Sequence, residues 1–211
     1  MILLVAVAAG LAAGLLQARI RRQSYQVPEF KFVWLVFLAL LPQWLAFGLP
    51  VTRSRLNIEW AATALIGSQL ILLAFAWINR TQPGLWLLGI GLVMNLAVIA
   101  LNDGLMPIPP EAVAHLAKAN PELVWQVGER LGTGKDIVLN AEATKLWFLA
   151  DRFILLPENL GYQVAFSAGD VLIAAGAFWL LWRMGGPQKG RVPANSPIDH
   201  PTQSDPKPGD V

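Results

Sequence analysis

Two carboxylates stand out among the residues that could do chemistry. Asp151 lies within the apolar run Leu-Trp-Phe-Leu-Ala-Asp-Arg-Phe-Ile-Leu-Leu, and Asp170 stands at the head of the last apolar stretch of the chain. Two aspartates held at one surface can share a proton and activate a water for hydrolysis. A structural reading competes with this one. Asp170 would cap the N-terminus of its helix, and Asp151 would pair with Arg152 or another base on the same side. We favour the structural reading, because unusual carboxylates mark functional sites only as a tendency.

The remaining chemistry is sparse. Asn102 and Asp103 suggest a cation site, but one carboxylate and a few carbonyls make a thin set for a hard metal. A turn explains them better: in Asn102-Asp103-Gly104-Leu105-Met106-Pro107, Asn, Asp and Gly suit left-handed conformations at a helix exit. His115 follows Glu111 by one helical turn, the spacing of a solvated pair. The chain has no cysteine, which removes disulfides, thiolate nucleophiles and cysteine-based metal sites, and its two histidines, His115 and His200, do not make a His-rich site. No phosphate-binding loop or nucleophile-base pair is visible, so no cofactor is expected. Nor is nucleic acid, since the net charge is only +2 and no Lys/Arg cluster interleaves with aromatics.

The elements that must position these groups are read from hydropathy. Of 211 residues 55% are hydrophobic and 14% charged, and mean hydropathy is +0.49, too little charge to cover a water-soluble domain. A helix crossing a hydrocarbon core of about 30 Å needs roughly 17 to 25 mainly apolar residues. Five stretches come close to this or meet it: 1–17, 32–50, 60–78, 85–101 and 167–182. They lack the alternation of barrel strands, so the fold class expected is all-α, a polytopic membrane protein with about five transmembrane helices. Within the spans Gln43, Gln69 and Asn95 have no charged companion and are expected to bond neighbouring helices. Gly10 and Gly14 form G-x-x-x-G, and Gly89 and Gly91 sit in the fourth span; packing within the chain explains these at least as well as dimerisation.

Charge sets the orientation. No basic residue precedes the first run, while Arg19, Arg21 and Arg22 follow it, which favours an uncleaved anchor with its N-terminus outside over a cleaved signal sequence. This topology puts nine basic and four acidic residues in the cytoplasm and seven basic and ten acidic residues outside. Trp34, Trp77, Trp86, Trp179 and Trp182 then fall at the inner boundary, and Trp44 and Trp60 toward the outer one. The lipid bilayer is the expected partner, its anionic head groups facing Arg19, Arg21 and Arg22.

Four regions follow. Residues 1–101 are a four-helix membrane region, 102–166 an extra-cytoplasmic loop, 167–183 the fifth transmembrane helix and 184–211 a cytoplasmic tail. The loop is too long to be a plain connection. Pro109, Pro110 and Glu111 open one amphipathic helix, Pro121 and Glu122 a second stopped by Gly132, and Asn140 caps a third ending in Leu146 to Ala150. The tail is rich in Pro, Gly, Ser and Asp and is expected to be disordered.

Three motifs carry a resemblance: Asn102-Asp103-Gly104-Leu105-Met106-Pro107, Leu146-Trp147-Phe148-Leu149-Ala150-Asp151 and Phe166-Ser167-Ala168-Gly169-Asp170-Val171. In this order and with these spans, residues 1 to 183 resemble an uncharacterised family of small bacterial membrane proteins, a domain of unknown function. The family commonly carries Gly where this chain has Asp103 and Ala150. The resemblance implies a location in the bacterial cell membrane and no particular activity. Asp151-Arg152 and Phe166-Ser167 with Asp170 are also similar to the pattern of the prolipoprotein signal peptidases, membrane-embedded aspartic peptidases. Against this, Asn140, Glu142 and Lys145 interrupt the crossing that precedes the first catalytic aspartate there. The function expected is therefore a non-enzymatic accessory or scaffolding component that contacts another membrane protein. The alternatives are an aspartic peptidase and a small-solute transporter, the latter lacking an ionisable residue at mid-membrane depth.

Overall fold

The computed structural model describes residues 2–53, 57–120, 122–155 and 163–186. The tail from residue 187 onward, with its expected disorder, lies outside the described residues. The chain is mostly helical. In order it forms α1 (Ile2–Ile20), α2 (Trp34–Gln43), α3 (Pro50–Arg53), α4 (Ile58–Ile78), α5 (Leu85–Leu101), β1 (Met106–Ile108), α6 (Pro110–Ala119), β2 (Asp136–Val138), a 3-10 turn (Trp147–Leu149), β3 (Phe153–Leu155), β4 (Val164–Phe166) and α7 (Ala168–Arg183).

Each of the five apolar runs folds as a helix. Pro42 sits inside α2, where it has no N–H to give to the preceding turn, and beyond Gln43 the helix widens into a π-turn over Trp44–Gly48. Two helices, Ile2–Ile20 and Ile58–Ile78, are long and apolar enough to cross a membrane, and Trp34–Gly48 and Leu85–Leu101 are shorter apolar helical stretches. α1 packs on α7, α7 on α5, α5 on α4 and α4 on α2. The last helix is thus inserted between the first and the fourth of the apolar five.

Small residues make this insertion close. Gly10 and Gly14 of α1 face Phe178 and Leu181 of α7, and a Cβ on Gly14 would stand 2.5 Å from the Leu181 carbonyl oxygen. On the other side of α7, a Cβ on Gly91 would meet the Gly169 carbonyl at 2.5 Å, and one on Gly176 would meet the Leu88 nitrogen at 2.5 Å. Many of the side chains the helices bury are accordingly small or polar: Ala18, Ala39, Ala61, Ser68, Gln69, Ala76, Asn95, Ala174 and Ala177, alongside the larger Leu65, Leu85, Leu92, Val98 and Ile99 of α4 and α5. Most large apolar ones point outward, among them Leu4, Val5, Leu16, Phe37, Leu40, Ile90 and Val93.

The segment between α5 and α7 forms a headpiece over the ends of α4 and α5. Its own core joins Ile108, Ala112, Val113 and Val138, with Leu116, Leu131 and Ile154 packed around it. Two further clusters fasten it to the bundle: Leu65, Val98 and Ile99 pack with Met106 and Leu149, and Ala61 packs with Leu105 and Ile137. β1 pairs in parallel with β2, Met106 opposite Asp136, and β3 pairs antiparallel with β4, Phe153 opposite Phe166.

The headpiece departs from the all-helical expectation. α6 forms from Pro110 as anticipated, its N-terminal proline lacking only an N–H that the first turn leaves free anyway. The second helix, expected from Pro121 to Gly132, does not form among the described residues 122–132. Backbone bonds from Gly128 N to Val138 O, Val138 N to Glu129 O and Leu131 N to Asp136 O fold this stretch into a hairpin-like pairing instead. Gly132, at φ +54°, belongs to its turn and does not stop a helix. The third helix is reduced to a turn at Asn140, because Leu146 adopts φ +56°, which no right-handed helix can contain, and only the 3-10 turn follows.

Candidate functional site

The three sequence motifs, far apart in the chain, meet where the headpiece joins the bundle. Met106 of the first and Leu149 of the second lie in one apolar cluster, and Ala168 of the third packs against it. Polar contacts fix the arrangement around that cluster.

The first motif turns the chain back at the end of α5. Gly104 takes φ +76°, and a Cβ there would collide with Ala62 Cβ at 2.4 Å, so both conformation and space require glycine. Asp103, also left-handed at φ +54°, is exposed. Asn102 is buried and reaches across to Lys145, the residue just before the second motif. Its Nδ2 donates to Val98 O at 2.7 Å and Lys145 O at 2.9 Å, and its Oδ1 accepts from Lys145 N at 2.9 Å. Pro107 carries no donor, but its carbonyl accepts from Asp151 N at 2.9 Å. The residues read as a turn or a cation site thus form a turn and an inter-segment clamp.

Asp151 is only 1% exposed, and its Oδ2 lies 2.5 Å from Lys135 Nζ, which also contacts Asp136 Oδ1 at 3.0 Å. Its Oδ1 is buried with no hydrogen-bond partner among the described residues. Burial, against the pull of Lys135 and aided by the charges of Asp136 and Asp170, pushes the Asp151 carboxyl up to about 7. For Lys135 burial opposes the charge, but Asp136, Asp151 and Asp170 outweigh it and hold the ammonium protonated beyond the ordinary lysine range. Lys135 keeps 43% of its side chain accessible, so it links the buried carboxylate to solvent. Arg152, the neighbour expected to pair with Asp151, instead stacks its guanidinium over Trp147 at 4.5 Å and near Phe153 at 5.7 Å.

Asp170 closes a network of three residues and four hydrogen bonds at the head of α7. The Ser167 side chain accepts from Asp170 N at 3.0 Å, and Asp170 Oδ2 accepts from Ser167 N at 3.1 Å, a reciprocal capping box. Asn95 of α5 completes it: its Nδ2 donates to Asp170 Oδ1 at 2.8 Å and its Oδ1 accepts from Ser167 Oγ at 3.0 Å. Asn95, expected without a charged companion, therefore has one, because α7 rather than a sequence neighbour packs on α5. Gly169 lets the amide approach; a Cβ there would fall 1.9 Å from Asn95 Oδ1. Gln43, by contrast, bonds Ser68 between α2 and α4 at 2.5 Å.

Asp170 is close enough for its charge to act on Asp151, yet three of their four oxygens are bonded to other groups. Among the described residues no three His, Asp or Glu side chains converge to hold a metal ion. Beside the site, a cleft of about 600 Å³ opens between α6 and residues 147–154, lined by Glu111, His115, Trp147, Arg152 and Phe153. Residues 28–182, from ahead of α2 to the end of α7 and including every group above, match a family of unknown function, DUF5317. The chain belongs to the DUF5317 family. The match leaves α1 outside it, a narrower span than the resemblance over 1 to 183 suggested. No curated protein and no solved structure matches the chain.

Lys135 is the participant that sequence reasoning missed. It stands in the Gly-Thr-Gly-Lys-Asp stretch outside all three motifs, and only the β1–β2 pairing carries it to Asp151. A lysine followed directly by an aspartate, just after the two glycines Gly132 and Gly134, was the only signal in the sequence.

Proposed function

We propose that this DUF5317 protein is a multi-pass component of the bacterial cell membrane, with α1, α2 and its π-turn, α4, α5 and α7 crossing the bilayer. The N-terminus faces outside, residues 102–166 are extra-cytoplasmic, and the chain leaves α7 into the cytoplasm. The observation that carries the reading is the distribution of side chains: the helix contacts are made largely by glycine, alanine and polar residues, with a few large apolar ones from α4 and α5, while most of the large apolar residues of the five helices are exposed. In water such a bundle would expose its best core formers; in lipid, where tails are as apolar as leucine, close backbone packing and interhelical hydrogen bonds drive association instead. The exposed rings of Trp34, Trp77, Trp86, Trp179 and Trp182 fit an inner interface, and those of Trp44 and Trp60 an outer one.

Within that membrane the protein acts as a non-enzymatic accessory or scaffolding subunit that offers its headpiece to another membrane protein. Its carboxylates hold structure together: Asp170 caps α7 and ties it to α5, and Asp151 anchors the Lys135 hairpin. A peptidase would need Asp151 and Asp170 to share a proton, and Asn95, the Ser167 amide and Lys135 already engage them.

The chain lacks cysteine, so a single Val124→Cys, at a position 82% exposed in the headpiece, reports orientation cleanly. An impermeant maleimide added to intact cells should label it. Labelling only after the cytoplasm is opened overturns the topology. Hydrolysis of membrane-anchored peptides by the purified protein, lost in both Asp151→Asn and Asp170→Asn, overturns the non-enzymatic reading.

A further inference from the structure

We propose that the groove between α4 and α5 holds one acyl chain of an anionic phospholipid, with the lipid phosphate on Arg80. The inference rests on the membrane reading above and adds a ligand to it.

The groove has a volume of about 230 Å³ and is lined almost wholly by apolar atoms, with Leu73, Trp77, Trp86, Gly89 and Met94 on its walls and Arg80 at its end. Along α5 it runs from Leu85 to Met94, about 13 Å at 1.5 Å per residue, close to half of a hydrocarbon core of about 30 Å. It therefore spans one leaflet, as a single acyl chain does. Gly89 is what opens it. Gly91 and Gly176 sit where a Cβ would strike a neighbouring backbone, whereas a Cβ on Gly89 would meet only Ala76 Cβ at 3.8 Å. Helix packing thus does not require glycine at 89, and the missing side chain leaves the groove empty of protein.

Charge selects the head group. Arg80 is exposed and, among the described residues, forms no ion pair with a carboxylate. Its guanidinium lies 4.8 Å over the Trp77 ring and donates to Trp77 O at 3.3 Å, and Trp77 meets Trp86 edge to face at 6.4 Å. A guanidinium oriented on an aromatic face at the mouth of an apolar groove presents its free donors to a phosphate oxygen. The two tryptophans flank that mouth at interfacial depth, where the glycerol backbone of a lipid lies.

The test is native mass spectrometry of the full chain in mild detergent with equal amounts of dioleoyl-phosphatidylglycerol and dioleoyl-phosphatidylcholine. Wild type should retain one phosphatidylglycerol, at least tenfold over phosphatidylcholine. Arg80→Gln should bring the two within about twofold. Gly89→Leu, which fills the groove and leaves Arg80 in place, should lose both lipids, and Gly89→Ala should behave as wild type. Thermal midpoints measured in parallel identify any variant that is unfolded, and Gly89→Ala against Gly89→Leu then decides on folded protein. Equal retention of the two lipids by wild type, or an unchanged preference in folded Arg80→Gln, overturns the proposal. Alkaline carbonate extraction separates the two levels: a chain released as soluble protein refutes the membrane reading, whereas a chain retained in membranes but indifferent to lipid charge refutes the lipid site alone.

Discussion

Exchanging the two partners across the α5–α7 contact tests whether Asp170 is a structural acceptor. In the native network the Asn95 amide and the Ser167 N–H donate to Asp170, the Ser167 hydroxyl donates to Asn95 Oδ1, and Asp170 N donates to Ser167 Oγ. Asp170→Asn removes one acceptor. If its new amide oxygen keeps the Ser167 N–H, its NH2 faces the Asn95 NH2. Rotating Asn95 relieves that clash but strands the Ser167 hydroxyl, which is fully buried. One unsatisfied buried donor costs about 1–3 kcal/mol, so Asp170→Asn should cost about that. Asp170→Ala strands two donors and should cost about twice as much. The double variant Asn95→Asp with Asp170→Asn restores every bond: the new amide donates to the carboxylate at 95, its oxygen accepts from Ser167 N, and the Ser167 hydroxyl donates to the second carboxylate oxygen. Unfolding in mixed micelles should show the pair recovering most of the loss, with a favourable coupling of about 1–2 kcal/mol. A double variant as unstable as the sum of its singles would refute this accounting. A catalytic Asp170 would be inactive in the double variant even where stability returns.

Three further outcomes follow from the same junction. Lys135→Met should destabilise the protein by about 3 kcal/mol near neutral pH, because it leaves Asp151 buried without its counter-charge, while Asp151→Asn should cost less, since half-exposed Lys135 keeps Asp136; unfolding curves that rank the two in reverse contradict the pairing. The Asp151 carboxyl is raised above the unfolded value of about 3.9, so its contribution is complete at low pH and is lost as pH climbs toward about 7. The thermal midpoint should fall over that window in wild type and fall less in Asp151→Asn, and identical slopes would exclude Asp151 as the titrating group. Gly169→Ala should lower stability by about 1–3 kcal/mol and weaken the α5–α7 contact, since its methyl would occupy the place of Asn95 Oδ1; a silent substitution in the same unfolding assay would mean the helices can separate freely.

Local composition by itself determined where the helices lie. Uninterrupted runs of Leu, Ala, Ile and Val long enough to satisfy their own backbone have no other economical conformation, and α5 begins and ends where its run does. The turn at Asn102 to Pro107 was equally legible, because Gly104 needs both a positive φ and the absence of a Cβ. The headpiece was not. Its apolar residues at 123, 124, 127 and 131 suit a helix face, but hydrogen bonds to a partner strand later in the chain turned residues 128–138 into a hairpin, and local periodicity carries no information about such pairing. The same limit hid the site. That Asp151 and Asp170 belong to one neighbourhood, that Lys135 serves the first and Asn95 the second, depends on α7 inserting between α1 and α5 and on β1 finding β2. Burial then decides what those side chains do, because a carboxylate withdrawn from water must be met by donors, and only the tertiary structure says which donors are within reach.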